Sequence, residues 1–445
     1  MTSRSTKDSA RTDGYRLVDE IPLLGNLAVA KYELTNGLQA AIVVDTTTPI
    51  FTYQTWFRTG SADEPAGRQG LAHLFEHMMF RKTSRREMGE FDRQVNINGG
   101  TGMNAYTSRD QTVYHFTFPK EKLEVAADLE ADRMANLVID AEMFETEKGA
   151  VLTERNRGLD DPTRYLWEEL YMVAYTKHNY KYSTMGDAES ITGFTVDEAL
   201  GFYRDFYAPS NALIIIVGDV DRTTVMETLV RHYGGFTPQA AKLRAVTTEP
   251  FPASDRSLSL THHRATQPMM AKLWHIPNMI HDDYPALAVV GKLLSSGKTS
   301  VLYERLFNTA KVTNLFADVY NCRDMGSFEF FGQLAGSVSF EEIDAILSAA
   351  LHELANGKIT ADQIQIVKNT IERDTYHSAT TPDSLAQKLG DAFINTGDLA
   401  FQLNLVERIA RVTPGDVARV TRTYLTDAPS TTATLLPSLS HSILH

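Results

Sequence analysis

The spacing of apolar positions divides the chain into alternating strand-like and helix-like stretches. AKYELTNGLQAAIVVD, from Ala30, predicts two short strands around an Asn36–Gly37 turn. IFTYQTWFRTG, from Ile50, is β-branched and aromatic and ends at Gly60. QGLAHLFEHMMFRK, from Gln69, has a helical pattern, with Arg81 and Lys82 at its C-terminal end. GGTGMNAYTSRDQTVYHFTFP alternates as far as Pro119 and predicts a strand or hairpin. The period then becomes helical, with Leu123, Ala127, Ala131, Met134 and Val138 on one stripe. Asp140 is a plausible N-cap for a further helix, AEMFETEKGAVLTERNR, which fades before Pro162. TVDEALGFYRDFYAP predicts a helix that runs into SNALIIIVGDV, an almost uniformly apolar strand.

The pattern then starts again. VTPGDVARVTRTYLTDAPSTTATLLP, near the end of the chain, repeats the plan of FTVDEALGFYRDFYAPSNALIIIVGD: a helix opened by threonine (Thr195, Thr413), an aromatic end, a proline and a β-rich strand. A polar, proline-containing stretch separates the halves. The expected organisation is α+β: a mobile tail over 1–20, a domain over 21–234, a linker over 235–255 and a homologous domain over 256–445, each domain a mostly antiparallel sheet flanked by helices.

Composition narrows the chemistry. The net charge of −13 argues against nucleic acid or an anionic membrane as the main partner. One cysteine, Cys322, excludes an intrachain disulfide and a thiolate metal cluster, so any metal must be held by His, Asp or Glu. No apolar run is long enough to cross a bilayer. The polar N-terminus has no apolar leader core, so a cytoplasmic protein is expected, or a periplasmic one if a leader has been removed.

Within the helix from Gln69, His73 and His77 are four residues apart and project from one face, where two imidazoles can grip a single ion. Glu76 reaches beside that ion. Burying three such groups among Leu74, Phe75, Met78 and Met79 without a metal would cost a few kcal/mol per unpaired group. Tetrahedral zinc would leave room for a third protein ligand and one water. The best candidate ligand is Glu154; Glu147, two turns earlier, lies on the same inward-tending helix face.

HLFEH resembles the inverted zinc motif H-x-x-E-H of the pitrilysin, insulin-degrading enzyme and mitochondrial processing peptidase family, the inverzincin metallopeptidases. The resemblance extends to Glu147 and Glu154 in an E…E helix, to Gly99, Gly100, Asn104, Ala105, Thr107, Ser108, Asp110, Thr112 and Tyr114, and to the stretch from Phe206 to Asp221. It implies that His73, His77 and Glu154 are ligands of Zn2+, that Glu76 is the general base for a zinc-bound water, and that Glu147 supports a ligand from outside. It also implies that Asn104 and Ala105 lie on a strand edge that pairs with extended peptide.

In single-chain members of the family, an arginine and a tyrosine seven residues apart follow a Gly/Ser loop. Here the loop reads LLSSGKTSVLYERLFNTAKVTNLF, and those positions hold Phe307 and Asn314. Arg305 or Tyr320 could substitute only in a different register. The gap implies a heterodimer, in which this chain forms half of a clam-shell chamber and a homologous subunit supplies the Arg/Tyr pair. The alternative is a non-catalytic scaffold or core-protein-like subunit of a larger complex.

Overall fold

The computed structural model describes residues 14–438, apart from 24, 239–241, 243–245 and 337. The strands are β1 (Tyr15–Pro22), β2 (Ala28–Leu34), β3 (Gln39–Val44), β4 (Ile50–Phe57), β5 (Thr101–Thr107), β6 (Thr112–Pro119), β7 (Ala212–Gly218), β8 (Arg256–His262), β9 (Met269–Ile276), β10 (Val312–Tyr320), β11 (Gly326–Leu334) and β12 (Thr431–Pro437). The helices are α1 (Leu71–Met78), α2 (Glu90–Ile97), α3 (Leu123–Asn136), α4 (Ala141–Leu159), α5 (Pro162–Ala174), α6 (Ala188–Gly193), α7 (Val196–Phe206), α8 (Arg222–Tyr233), α9 (Tyr284–Ser295), α10 (Phe340–Ala355), α11 (Ala361–His377), α12 (Pro382–Thr396), α13 (Phe401–Ala410) and α14 (Pro414–Thr421).

The fold is mixed α+β, with one sheet in each of two compact units. The first is seven-stranded, in the order β1-β2-β3-β7-β4-β6-β5, and the second five-stranded, in the order β10-β11-β9-β12-β8. All seven residues of β7 are buried, because helices cover the first sheet on both faces. Alternation along β4 shows how. Thr52, Gln54 and Trp56 face α12, where Gln54 Nε2 donates to Asp383 Oδ1 at 2.9 Å and Thr52 Oγ1 to the same oxygen at 3.2 Å. Tyr53 and Thr55 face the other way, where the Tyr53 and Tyr233 hydroxyls pair at 2.9 Å and Thr55 Oγ1 donates to Glu130 at 2.6 Å.

The duplicated plan is visible in the pairing. β7 runs parallel to β3 and antiparallel to β4; β12 runs parallel to β8 and antiparallel to β9. Thr195 and Thr413 each cap the N-terminus of the helix that follows, α7 or α14, through a reciprocal capping box.

The domain boundaries expected at 21–234 and 256–445 need correction. The first unit comprises 1–151, 184–244 and 376–402, and the second 152–183, 245–375 and 403–445; the division falls inside α4, a single continuous helix. α12, from the second half of the sequence, packs on β4 and β7 of the first sheet, while α5, from the first half, packs on β8, β9 and β12 of the second. Each sheet therefore takes a covering helix from the opposite half of the chain. The tail expected over 1–20 is also corrected from residue 15 onward, because Tyr15–Pro22 pairs antiparallel with β2. Residues 1–13 lie outside the described residues, as does part of the expected linker. α4 ends at Leu159, and Pro162 is the first residue of α5, capped by Asp161, whose side chain accepts from the Thr163 N–H at 2.8 Å. Among the described residues no helix is long and apolar enough to cross a membrane.

Candidate metal centre

α1 is shorter than its apolar pattern predicts. It begins only after Gly70, which has φ 96°, and a Cβ there would stand 2.7 Å from the Met185 carbonyl oxygen. Gly186 approaches still more closely from the other side, where a Cβ would lie 2.0 Å from the Gln69 oxygen. Instead of an N-cap side chain, the buried carboxylate of Glu64 serves the helix start. It accepts from the Gly70 N–H at 2.9 Å and the Ala72 N–H at 2.8 Å. Burial pushes the Glu64 pKa well above the usual carboxylate range, against the pull of those two backbone donors.

His73 is buried and His77 half-buried on one face of α1, with ring centroids 4.9 Å apart. Ligand atoms of His73, His77 and Glu154 all lie within 4.8 Å of one another. Two imidazole nitrogens and one carboxylate oxygen fit zinc, leaving one tetrahedral position open. The first half of α4 is held in place by Asp140, which accepts from the Met143 N–H at 2.8 Å, and by buried Phe144 and Val151.

The two glutamates expected on one inward face differ in burial. Glu147 is buried and Glu154 exposed. Glu147 Oε2 lies 3.5 Å from His77 Nδ1. Arg81 grips the same carboxylate, with Nε 2.8 Å from Oε1 and Nη2 3.0 Å from Oε2. Burial raises the pKa of Glu147, but His77 and Arg81 outweigh it and hold the group below its ordinary value. Arg81 thus lies beyond the helix it was expected to end, and its partner is a carboxylate on α4. A carboxylate on Nδ1 suits a histidine whose Nε2 is offered to a metal.

Glu76 Oε2 accepts from Thr107 Oγ1 at 2.7 Å. Thr107 is the last residue of β5, the edge strand of the first sheet, with β6 its one partner among the described residues. Asn104 is exposed opposite His115, and Ala105 is buried opposite Tyr114. In the second unit, Arg305 pairs with Glu353 at 2.7 Å and Phe307 stacks on Tyr303 at 4.6 Å. Asn314 and Tyr320 are exposed on β10.

Sequence reasoning gave no role to Glu64, Arg81 or Thr107 in building this site. Glu64 and Arg81 lie in irregular segments whose contacts no periodicity encodes. Thr107 stands within the stretch that carries the family resemblance, which was the available signal.

Residues 39–188 match the family model described as insulinase (peptidase family M16), and residues 193–371 match that of the peptidase M16 inactive domain. Zinc protease PqqE of Helicobacter pylori is 26% identical over 409 residues, covering 91% of this chain and 92% of the relative. Mitochondrial-processing peptidase subunit beta of Lentinula edodes is 23% identical over 449 residues, covering 96% and 94% respectively. The crystal structure of a protease from Helicobacter pylori is similar with a TM-score of 0.87 and 26% identity, over 92% of this chain and 99% of that one.

Proposed function

The chain belongs to peptidase family M16, and from that premise we propose that it is a zinc metalloendopeptidase hydrolysing unfolded peptides, with His73, His77 and Glu154 as ligands and Glu76 as general base. The observation that carries this reading is the convergence of His73, His77 and Glu154, two from α1 and one far downstream, within 4.8 Å.

A zinc ion held there would lower the pKa of a water from about 15.7 toward about 7 and polarise the scissile carbonyl. Glu76, next to the ligand pair on α1, takes the proton from the attacking water and passes it to the leaving amine. Glu147 orients His77 through Nδ1, and Arg81 fixes Glu147. The outer edge of β5 at Asn104 and Ala105 is suited to hold an extended peptide by strand addition, which recognises backbone more than sequence and needs an unfolded substrate.

We further propose that activity requires a homologous partner chain. Supporting this are Phe307 and Asn314 in place of an Arg/Tyr pair, and similarity to a relative named as a subunit. The scaffold reading is less favoured, because the ligand set and the base are all present.

The test is cleavage of an unstructured peptide by the metal-loaded protein, with and without chelator. Glu76→Gln should retain zinc and lose at least about a hundredfold in kcat. Full turnover by Glu76→Gln, or cleavage indifferent to chelator, would refute the peptidase assignment. Full activity of the purified chain alone would refute the need for a partner.

A further inference from the structure

β5 connects two parts of the site that the proposed function treats separately. Its outer edge, unpaired among the described residues, presents Asn104 and Ala105, and its last side chain, Thr107, donates to Glu76 Oε2 at 2.7 Å. We propose that Thr107 is the positioning residue of the general base, so that the strand suited to receive the peptide also aims the carboxylate that activates water. The inference rests on the peptidase reading given above.

A hydroxyl can aim a carboxylate only if its own backbone is fixed, and here it is fixed from three sides. Thr107 pairs with Thr112 of β6, whose Oγ1 donates to the Thr59 carbonyl at 3.0 Å. The hairpin tip beyond it is gripped by the loop before α1: the Ser61 N–H donates to the Ser108 carbonyl at 3.1 Å and the Ala62 N–H to that of Arg109 at 2.9 Å. This grip is close enough that a Cβ on Gly60 would stand 2.4 Å from the Ser108 oxygen. From the far face, α12 holds the same hairpin. Gln387 donates to the Tyr106 hydroxyl, and Gln111 Nε2 donates to Asp391 Oδ1 at 2.8 Å.

A glutamate side chain has three rotatable bonds and loses catalytic geometry when free to swing; a hydrogen bond to one carboxylate oxygen fixes the direction of the other. Thr107 makes no ligand bond in the convergent set of His73, His77 and Glu154. Its loss should therefore lower the rate of the chemical step and leave metal and peptide binding intact.

Thr107→Val keeps the shape and removes the donor; Thr107→Ser keeps the donor. Both are compared with wild type in the assembly in which wild type is active, by kcat and KM on an unstructured peptide, by competition for zinc, and by crystal structures of the metal-free proteins. For Thr107→Val the expected results are a kcat about tenfold lower, KM and zinc affinity within about twofold, and a Glu76 carboxylate displaced from its place above Thr107 in the metal-free crystal. Thr107→Ser should match wild type in all four measurements. The proposal is overturned if the valine variant keeps its kcat, if its Glu76 has not moved, if KM or zinc affinity falls along with kcat, or if serine loses as much as valine. The two readings fail separately. An active Glu76→Gln would defeat the peptidase assignment, whereas an inactive Glu76→Gln with a silent Thr107→Val would defeat only this inference.

Discussion

Glu64 offers a direct way to ask whether the start of α1 sets the proposed metal site. Its carboxylate is buried and receives two backbone donors, from Gly70 at 2.9 Å and Ala72 at 2.8 Å. Glu64→Ala leaves both N–H groups without that acceptor. Each such loss costs about 1–3 kcal/mol, while removing a buried carboxylate returns part of that by relieving its desolvation. A net destabilisation of about 3 kcal/mol follows, which for a unit of this size lowers Tm by roughly 6–12 °C. Glu64→Gln keeps one carbonyl acceptor and should fall about half as far. His73 is the third residue of α1, so a frayed first turn moves a proposed ligand directly. Zinc affinity should drop about tenfold, equivalent to about 1.4 kcal/mol of lost preorganisation. The assay is thermal unfolding of the metal-free protein, followed by zinc titration against a competing chelator. Glu87→Ala, at a carboxylate 82% exposed, serves as control and should change neither. A metal-free Glu64→Ala protein melting within a degree of wild type, with unchanged zinc affinity, would refute the argument.

Two other sites make predictions independent of catalysis. His275 on β9 is buried against Tyr175, with ring centroids 4.6 Å apart. Its pKa is lowered to about 4, chiefly by burial, with Arg256 acting in the same direction and Glu249 and the Ala174 backbone opposing. Since the unfolded chain binds a proton near pH 6.5 and the folded one only near 4, stability is full above 6.5 and falls as pH drops toward 4, by about 3 kcal/mol in total. Urea midpoints measured across that window should slope in wild type and flatten in His275→Phe; parallel slopes would count against it. Gly390 of α12 passes so close to β4 that an added Cβ would stand 2.1 Å from the Trp56 ring. Gly390→Ala should therefore cost about 3 kcal/mol in chemical unfolding, and an unchanged midpoint would show that α12 can retreat.

Much of the fold was legible because it depends on local period. β7 reads as an unbroken apolar run because both its faces are covered, and the repeated threonine caps of α7 and α14 announce the duplication. The exchange of α5 and α12 between halves was not legible. α12 is amphipathic like any surface helix, and its polar face carries Asp383, Gln387 and Asp391, which bind side chains of a sheet more than 250 residues earlier. Nothing in a helical period says which sheet will receive it. Gly390 is the one local mark of that docking, and a glycine inside a helical pattern has many readings.

The proposed metal site divides along the same line. The pairing of His73 with His77 was legible because the i, i+4 relation is local; Glu154, on another helix, stood out as a candidate only by its place on α4, and the family spacing added to that. What escaped the sequence is what aims these groups. Arg81 reaches Glu147 from an irregular segment, Glu64 reaches forward to a helix it does not belong to, and Thr107 meets Glu76 from the end of β5. Each of these contacts closes a loop of chain and depends on folding already completed elsewhere. Residues that would touch the ion are constrained by chemistry that a short motif can express. Residues that orient them are constrained by distance in space alone, so they emerge only when the chain is folded, and substitutions there should degrade the site while the motif stays intact.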